Sequence, residues 1–333
     1  MLVTNRSLGF YRLLILLLCC FTGTGLPAQT GAADSTHIFL ADPAILRYQD
    51  AYYLYGTGAP EGFPVYTSPD LKHWSQLKSI NGGYALKKGD AFGTAQFWAP
   101  QVFSSSNKLY MAYAANENIA IASSESPAGP FKQQTKEPLA APVKQIDPFV
   151  FTDEDGKKYL YHVRLTNGNR IFVAELTAGL SAIKPETLQE CITATEPWEN
   201  TAHSEWPVAE GPSVLKHKGT YYLFYSANDF RNPDYAVGYA TSNSPYGPWK
   251  KWEGNPIISK KNIGQNGTGH GDFVTDKHNR LVYVFHTHYS DSKVSPRRTA
   301  LIEARFAKDK GNGMDKVMVN EKSLFYPELK NQP

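Results

Sequence analysis

Asp155-Gly-Lys-Lys-Tyr-Leu-Tyr-His162 and His217-Lys-Gly-Thr-Tyr-Tyr-Leu-Phe-Tyr225 carry one local pattern twice: a turn signal, then an alternating run rich in aromatics. The pattern recurs in Tyr48-Gln-Asp-Ala-Tyr-Tyr-Leu-Tyr55, Ser106-Asn-Lys-Leu-Tyr-Met-Ala-Tyr113 and Lys277-His-Asn-Arg-Leu-Val-Tyr-Val-Phe285. Period-two alternation of aromatic and β-branched residues after a tight turn is the mark of a hairpin strand. A short run stands before each: Ala41-Asp-Pro-Ala-Ile-Leu46, Trp98-Ala-Pro-Gln-Val-Phe103, Ile146-Asp-Pro-Phe-Val-Phe151, Glu210-Gly-Pro-Ser-Val-Leu215 and His270-Gly-Asp-Phe-Val-Thr275. A third strand follows, clearest in Val65–Trp74, Ile119–Phe131 and Val237–Trp249. The repeating unit is a small antiparallel sheet.

Five such sheets, with no stretch of 3.6-residue periodicity between them, predict an all-β, five-bladed β-propeller whose blades bury one another's faces. A two-sheet sandwich has no reason to repeat one unit at near-even spacing. No linker or break in composition interrupts the repeat, so a single domain is expected over 36–333. Residues 181–206, with Trp198 and Trp206, depart furthest from the repeat and are expected to form a loop insertion.

Residues 1–28 read as an export signal. Arg6 and Arg12 precede the apolar run Leu13–Cys20, and small residues from Gly23 to Ala28 follow. The run is too short to span a bilayer, so no transmembrane helix is expected. Cys19 and Cys20 at its end raise a lipoprotein reading, with a lipid anchor at one of them. The expected locations are therefore periplasmic, secreted or lipid-anchored at the cell surface. Beyond these two, only Cys191 remains, so the mature domain has no internal disulfide. The 34 basic and 31 acidic residues become 32 and 31 once Arg6 and Arg12 are removed. That balance gives a nucleic-acid partner no electrostatic footprint.

In a propeller the first strand of each blade runs beside the axis, so equivalent positions converge on one opening. Aligning the five runs sets Asp42 and Asp147 at one position, Ala99 and Gly211 at that position in blades two and four, and Glu210 and His270 one residue earlier. Three carboxylates, a histidine and Trp98 thus ring one cavity. Glycoside cleavage needs one carboxylate to activate water and one carboxylic acid to protonate the leaving oxygen. A third carboxylate nearby keeps the acid's proton on by like-charge repulsion.

The triplets Ala41-Asp42-Pro43, Ile146-Asp147-Pro148 and Glu210-Gly211-Pro212, with Trp98-Ala99-Pro100 and Gly269-His270-Gly271, resemble glycoside hydrolase family 43. These are five-bladed propeller enzymes acting on arabinose- and xylose-containing polysaccharides. The resemblance implies inverting hydrolysis with Asp42 as general base, Glu210 as general acid and Asp147 raising the acid's pKa and orienting it. It also implies substrate contacts from Phe97, Trp98, His270 and one of Arg297 and Arg298. No cofactor is required, although the resemblance leaves room for a structural Ca2+ near the axis, held at His270.

One imidazole alone is a poor calcium site. His286 and His288 share one side of a strand, but no third ligand stands at zinc spacing, so a non-metal role is read for them. The expected substrate is an oligo- or polysaccharide, and the expected activity an exo-acting α-L-arabinofuranosidase or β-D-xylosidase. An endo-arabinanase and a non-catalytic carbohydrate-binding propeller are the alternatives.

Overall fold

The five repeats fold as five radial sheets in the computed structural model, which describes residues 37–309 and 313–330. The inner strands are Ala41–Tyr48, Trp98–Ser105, Gln145–Thr152, Ala209–His217 and Gly269–Thr275. Each pairs antiparallel with the aromatic run that follows it, as in Val150↔Leu160 and Val214↔Leu223. Each inner strand also touches the inner strands of both neighbouring blades, and the ring closes from blade five back to blade one. Closure is reinforced by the Thr299 amide donating to the Ile38 carbonyl (3.1 Å) and by Glu328–Leu329 running parallel to His73–Trp74.

The alternation in the repeat now has a physical meaning, because each blade faces two neighbours. In blade three, Tyr159, Tyr161 and Val163 point toward blade four and join Val214, Leu223 and Tyr225. Leu160, between them in sequence, points the other way and packs with Phe103 and Ile119 of blade two. Period-two geometry therefore fills both interfaces from one strand. Five apolar clusters result, one between each pair of adjacent blades. Burial of each large side chain there stabilises the fold by about 1.5–3 kcal/mol.

Most blades carry a fourth, outer strand that the three-strand pattern does not reveal: His73–Gln76, Gln189–Ile192, Lys250–Lys251 and Asp315–Val319. They are short: Lys250–Lys251 is wholly polar, and the other three each bury one apolar side chain, Trp74, Ile192 or Val317. Gln189–Ile192 lies inside the stretch expected to be an insertion. That stretch is therefore partly the outer edge of blade three, and the loop proper begins after Ile192. The predicted leader, with Cys19 and Cys20, lies outside the described residues. No helix among the described residues is long and apolar enough to cross a membrane.

A shared irregularity places the functional side chains. In every inner strand the ladder skips two residues: between Ala41 and Ala44, Trp98 and Gln101, Ile146 and Phe149, Glu210 and Ser213, and Gly269 and Asp272. The first skipped residue has positive φ in all five blades: Asp42 (49°), Ala99 (47°), Asp147 (54°), Gly211 (58°) and His270 (47°). Bulges of this kind bend the strand and re-aim a side chain, at a strain of about 1–3 kcal/mol for a non-glycine residue.

The common bulge corrects the expected alignment of His270. It occupies the position of Asp42 and Asp147, and Gly269 occupies that of Glu210. The sequence misleads because blade five has Gly271 where the other four have Pro43, Pro100, Pro148 and Pro212. A Cβ on Gly271 would lie 1.9 Å from the Val284 carbonyl oxygen, so the backbone there passes too close for any side chain.

Candidate active site

The bulges deliver Asp42, Asp147 and His270 from three blades, and Glu210 from the residue before its bulge, to one cavity of about 360 Å3. Trp98, Arg297, Phe230 and Trp206 complete much of its wall. The volume is at the small end of the range of about 300–1,000 Å3 typical of ligand pockets. A larger hollow of about 680 Å3 lies at the edge of blade five. Its only lining acid, Glu303, is bound to Arg280 (2.5 Å), so it holds no comparable chemistry.

Asp42 is held as an anion. Arg297 Nη1 donates to its Oδ1 at 3.0 Å, and His270 Nδ1 and His286 Nδ1 lie 3.4 Å from the same oxygen. Burial pushes the carboxyl up, but the Arg297 guanidinium and its neighbours prevail and hold it well below the usual range. His286 is fully buried beneath it. The Asp42 amide donates to His286 Nδ1 (3.2 Å), and Arg297 Nη1 stands 3.2 Å from Nε2. Nδ1 thus faces both the amide and the carboxylate of Asp42, and Nε2 faces Arg297; a neutral ring, with one N–H, accepts at only one of the two. Burial and the Arg297 charge push His286 well below its ordinary value, so the ring stays neutral.

Arg297 also lies over the Phe230 ring, 4.5 Å from its centroid. The Phe230 carbonyl is 2.8 Å from His288 Nε2. The two histidines of the His-x-His pair therefore serve one arginine, one directly and one through the ring it covers.

Across the pocket the electrostatics reverse. Asp147 is raised well above its ordinary value, by burial first and then by the Glu210 and Asp42 charges, although its Oδ2 accepts the Gly211 amide (3.1 Å). Burial pushes Glu210 up to about 7, with Asp42 adding to the rise. Hydrogen bonds from Tyr235 Oη to Oε1 (2.9 Å) and from Asn169 Nδ2 to Oε2 (2.8 Å) act against that rise. The Asp147–Glu210 pair thus retains a proton near neutral pH while Asp42 stays ionised. A base and an acid with separated pKa values are what single-displacement hydrolysis requires.

Asp147, Glu210 and His270 offer ligand atoms within 4.8 Å of one another. These residues do not fit a calcium cage. The ion takes six to eight oxygens, whereas here both Glu210 oxygens and Asp147 Oδ2 already accept hydrogen bonds and the third donor is a nitrogen. His270 instead faces carboxylates, 3.4 Å from Asp42 and 3.7 Å from Asp147. Burial lowers its pKa, against the pull of Asp42. A Cβ at Gly211 would lie 2.8 Å from His270 Cγ, which explains a glycine at the one bulge that packs under the ring.

Two expected substrate contacts are corrected. Phe97 is 3% exposed and packs against Phe63 and Tyr113 in the interface of blades one and two, so it is a core residue, while its neighbour Trp98 faces the pocket. Arg298 sits over the Tyr326 ring, 3.7 Å from its centroid, and is not among the residues lining the pocket. Consecutive residues entering a strand point to opposite faces, so only Arg297 turns inward.

Sequence reasoning missed His286 as a neighbour of Asp42, and it missed Tyr235, Asn169 and Phe230 altogether. His286 lies on the second strand of blade five, Asn169 opens the third strand of blade three, and Phe230 and Tyr235 sit on the loop before Ala236, so only the His286-x-His288 spacing gave a signal. Trp206 of the irregular stretch does line the pocket, whereas Trp198 packs against Tyr225.

A propeller with an ionised carboxylate opposite a proton-holding carboxyl pair defines an inverting glycoside hydrolase. Residues 36–310 match the family described as glycosyl hydrolases family 43, and the chain belongs to it. A solved structure described as an endo-1,4-β-xylanase of Bacteroides thetaiotaomicron is 41% identical, with a TM-score of 0.81 over 89% of this chain and 99% of that one. The β-D-galactofuranosidase of Aspergillus niger is 25% identical over 297 residues, 81% of this chain and 80% of its own. The arabinoxylan arabinofuranohydrolase of Bacillus subtilis is 28% identical over 71% of this chain, which spans only 56% of that protein.

Proposed function

We propose that this chain is an exported, exo-acting glycosidase releasing arabinofuranose or xylose from plant-derived oligo- or polysaccharides. Asp42 is the general base, Glu210 the general acid, and Asp147 shares and stabilises the acid's proton. In the step proposed, Asp42 takes a proton from water as the water oxygen bonds to the anomeric carbon. Glu210 gives its proton to the glycosidic oxygen as the carbon–oxygen bond breaks. Asp147 shares the pair's proton with Glu210, since two buried carboxylates so placed resist both being ionised near neutral pH.

The observation that carries the reading is the opposed charge state across one small pocket: Asp42 pinned by Arg297, and Glu210 pushed up to about 7 by burial. Exo action is supported by the wall that Trp206 and Phe230 add to the pocket. The arabinofuranohydrolase relative supports the sugar class. Endo action is the second reading, favoured by the described activity of the 41%-identical xylanase. Export, with or without a lipid anchor at Cys19 or Cys20, rests on the composition of residues 1–28.

The test is release of nitrophenol from α-L-arabinofuranoside, β-D-xyloside and β-D-galactofuranoside, run beside debranched arabinan and xylan. Asp42→Asn and Glu210→Gln serve as controls, the latter on the unactivated polymers. Monosaccharide release from polymer ends is expected. A ladder of oligosaccharides selects the endo reading, and no activity on any substrate selects a binding propeller.

A further inference from the structure

Glu210 is tied to a surface tryptophan by two hydrogen bonds in series. Trp206 Nε1 donates to Asn169 Oδ1 (2.9 Å), and Asn169 Nδ2 donates to Glu210 Oε2 (2.8 Å). An indole N–H can only donate. It therefore fixes the Asn169 amide with its oxygen toward Trp206 and its NH2 toward Glu210, and forbids the flipped amide. An amide NH2 likewise can only donate, so Glu210 Oε2 is held as an acceptor. When Glu210 carries a proton, the favoured place is Oε1, beside Tyr235 Oη, which can donate or accept.

The local structure serves this chain. The Asn169 backbone N–H donates to the Pro207 carbonyl (2.9 Å), and Gly168 has no side chain to collide with that carbonyl, since a Cβ there would lie 2.6 Å from it. Upstream, the loop is anchored by the fully buried Glu199. Its Oε2 accepts the amides of Thr195 and Glu196 and pairs with Lys251 (2.6 Å), while Oε1 accepts from Tyr225 Oη (2.5 Å). Trp206 itself is 48% exposed at the pocket wall. A large apolar ring left in solvent, with its one polar atom committed inward, is not explained by packing.

We propose that Trp206 is a positioning residue for acid catalysis: through Asn169 it sets which oxygen of Glu210 holds the transferable proton. The proposal rests on Glu210 being the acid. Its consequence is selective. A leaving group that departs poorly, such as a sugar hydroxyl, needs the proton in the transition state, whereas a nitrophenolate departs without it. Trp206 therefore governs turnover of natural sugar linkages and barely touches activated aryl glycosides.

The experiment compares Trp206→Phe, Asn169→Ala and Glu210→Gln on an unactivated oligosaccharide and on the matching nitrophenyl glycoside. Trp206→Phe keeps the exposed ring and removes only the N–H, and its site lies outside the core. For Trp206→Phe and Asn169→Ala, kcat on the oligosaccharide is expected to fall about tenfold, with KM little changed, and kcat on the aryl glycoside to fall less than about twofold. Loss of the donor to Oε2 should also move the alkaline limb of kcat/KM upward, by about one pH unit in Asn169→Ala. Equal losses on both substrates, or an alkaline limb that stays put, overturn the proposal while leaving the acid assignment standing. If Glu210→Gln itself loses both substrates equally, Glu210 is not the acid, and the proposal falls with that reading.

Discussion

Replacing Arg297 by methionine removes the one guanidinium that holds Asp42 ionised, while keeping much of the side chain's bulk over Phe230. The two groups are nearly buried, with side chains 14% and 8% exposed, and 3.0 Å apart. Truncating one partner of a buried ion pair costs about 3–5 kcal/mol, because the other charge is left unpaired. At about 1.36 kcal/mol per pKa unit, this corresponds to a rise of about two to four units in Asp42. In the native protein Asp42 lies well below the usual carboxylate range, so its stabilising contribution is present above the unfolded value of about 3.9 and is lost only as pH falls through the depressed folded value.

In Arg297→Met a rise of that size brings the folded value back to about the unfolded one, so Asp42 no longer contributes stability at neutral pH. Wild type loses the same contribution only as pH falls through its depressed folded value. The assay is kcat/KM against pH on an aryl glycoside, which reports the free enzyme's base, together with Tm over the same range. The acidic limb should move up by about two units or more, and the Tm difference from wild type should narrow on acidification. An acidic limb that does not move refutes the claim that Arg297 sets the state of Asp42.

Tyr235→Phe deletes the donor to Glu210 Oε1, so the acid's pKa should rise from about 7 and the alkaline limb shift upward, read from the kcat/KM profile. Phe97→Ala should cost about 3–5 kcal/mol of stability in denaturant titration, with KM barely changed. Trp98→Ala should do the opposite, keeping Tm and raising KM. Gly211→Ala forces a Cβ to 2.8 Å from His270 at a φ of +58°, and should lower kcat through displacement of the His270 ring beside Asp42 and Asp147. Retained wild-type kcat in a crystallographically unchanged Gly211→Ala pocket contradicts that account.

The propeller was readable because its determinants are local and repeated. Each aromatic alternation, such as Tyr159-Leu-Tyr161, must serve two blade interfaces, and that demand writes a regular pattern five times. Asp42, Asp147 and Glu210 were readable because they sit at the start of those repeats. Short outer strands such as Lys250–Lys251 were not, since they bury little and carry no periodicity.

The position of His270 was misread because the register depends on a bulge, and in blade five the proline that marks it elsewhere is absent. Phe97 and Trp98 are adjacent, and which of them faces the core depends on packing across an interface. Tyr235, Asn169 and His286 reach the carboxylates from a loop, a third strand and a second strand. Apart from the His286-x-His288 spacing, nothing in their own neighbourhoods marks them as site residues.

If Asp42 activates a water on the side of the sugar opposite the bond that Glu210 protonates, the sugar is released with inverted configuration. The most direct measurement is time-resolved proton NMR of the anomeric centre in the first sugar released from an unactivated arabinoside or xyloside. Initial formation of the inverted anomer, followed by mutarotation, is predicted. Initial formation of the retained anomer contradicts the account, because it requires one of these carboxylates to attack carbon rather than water.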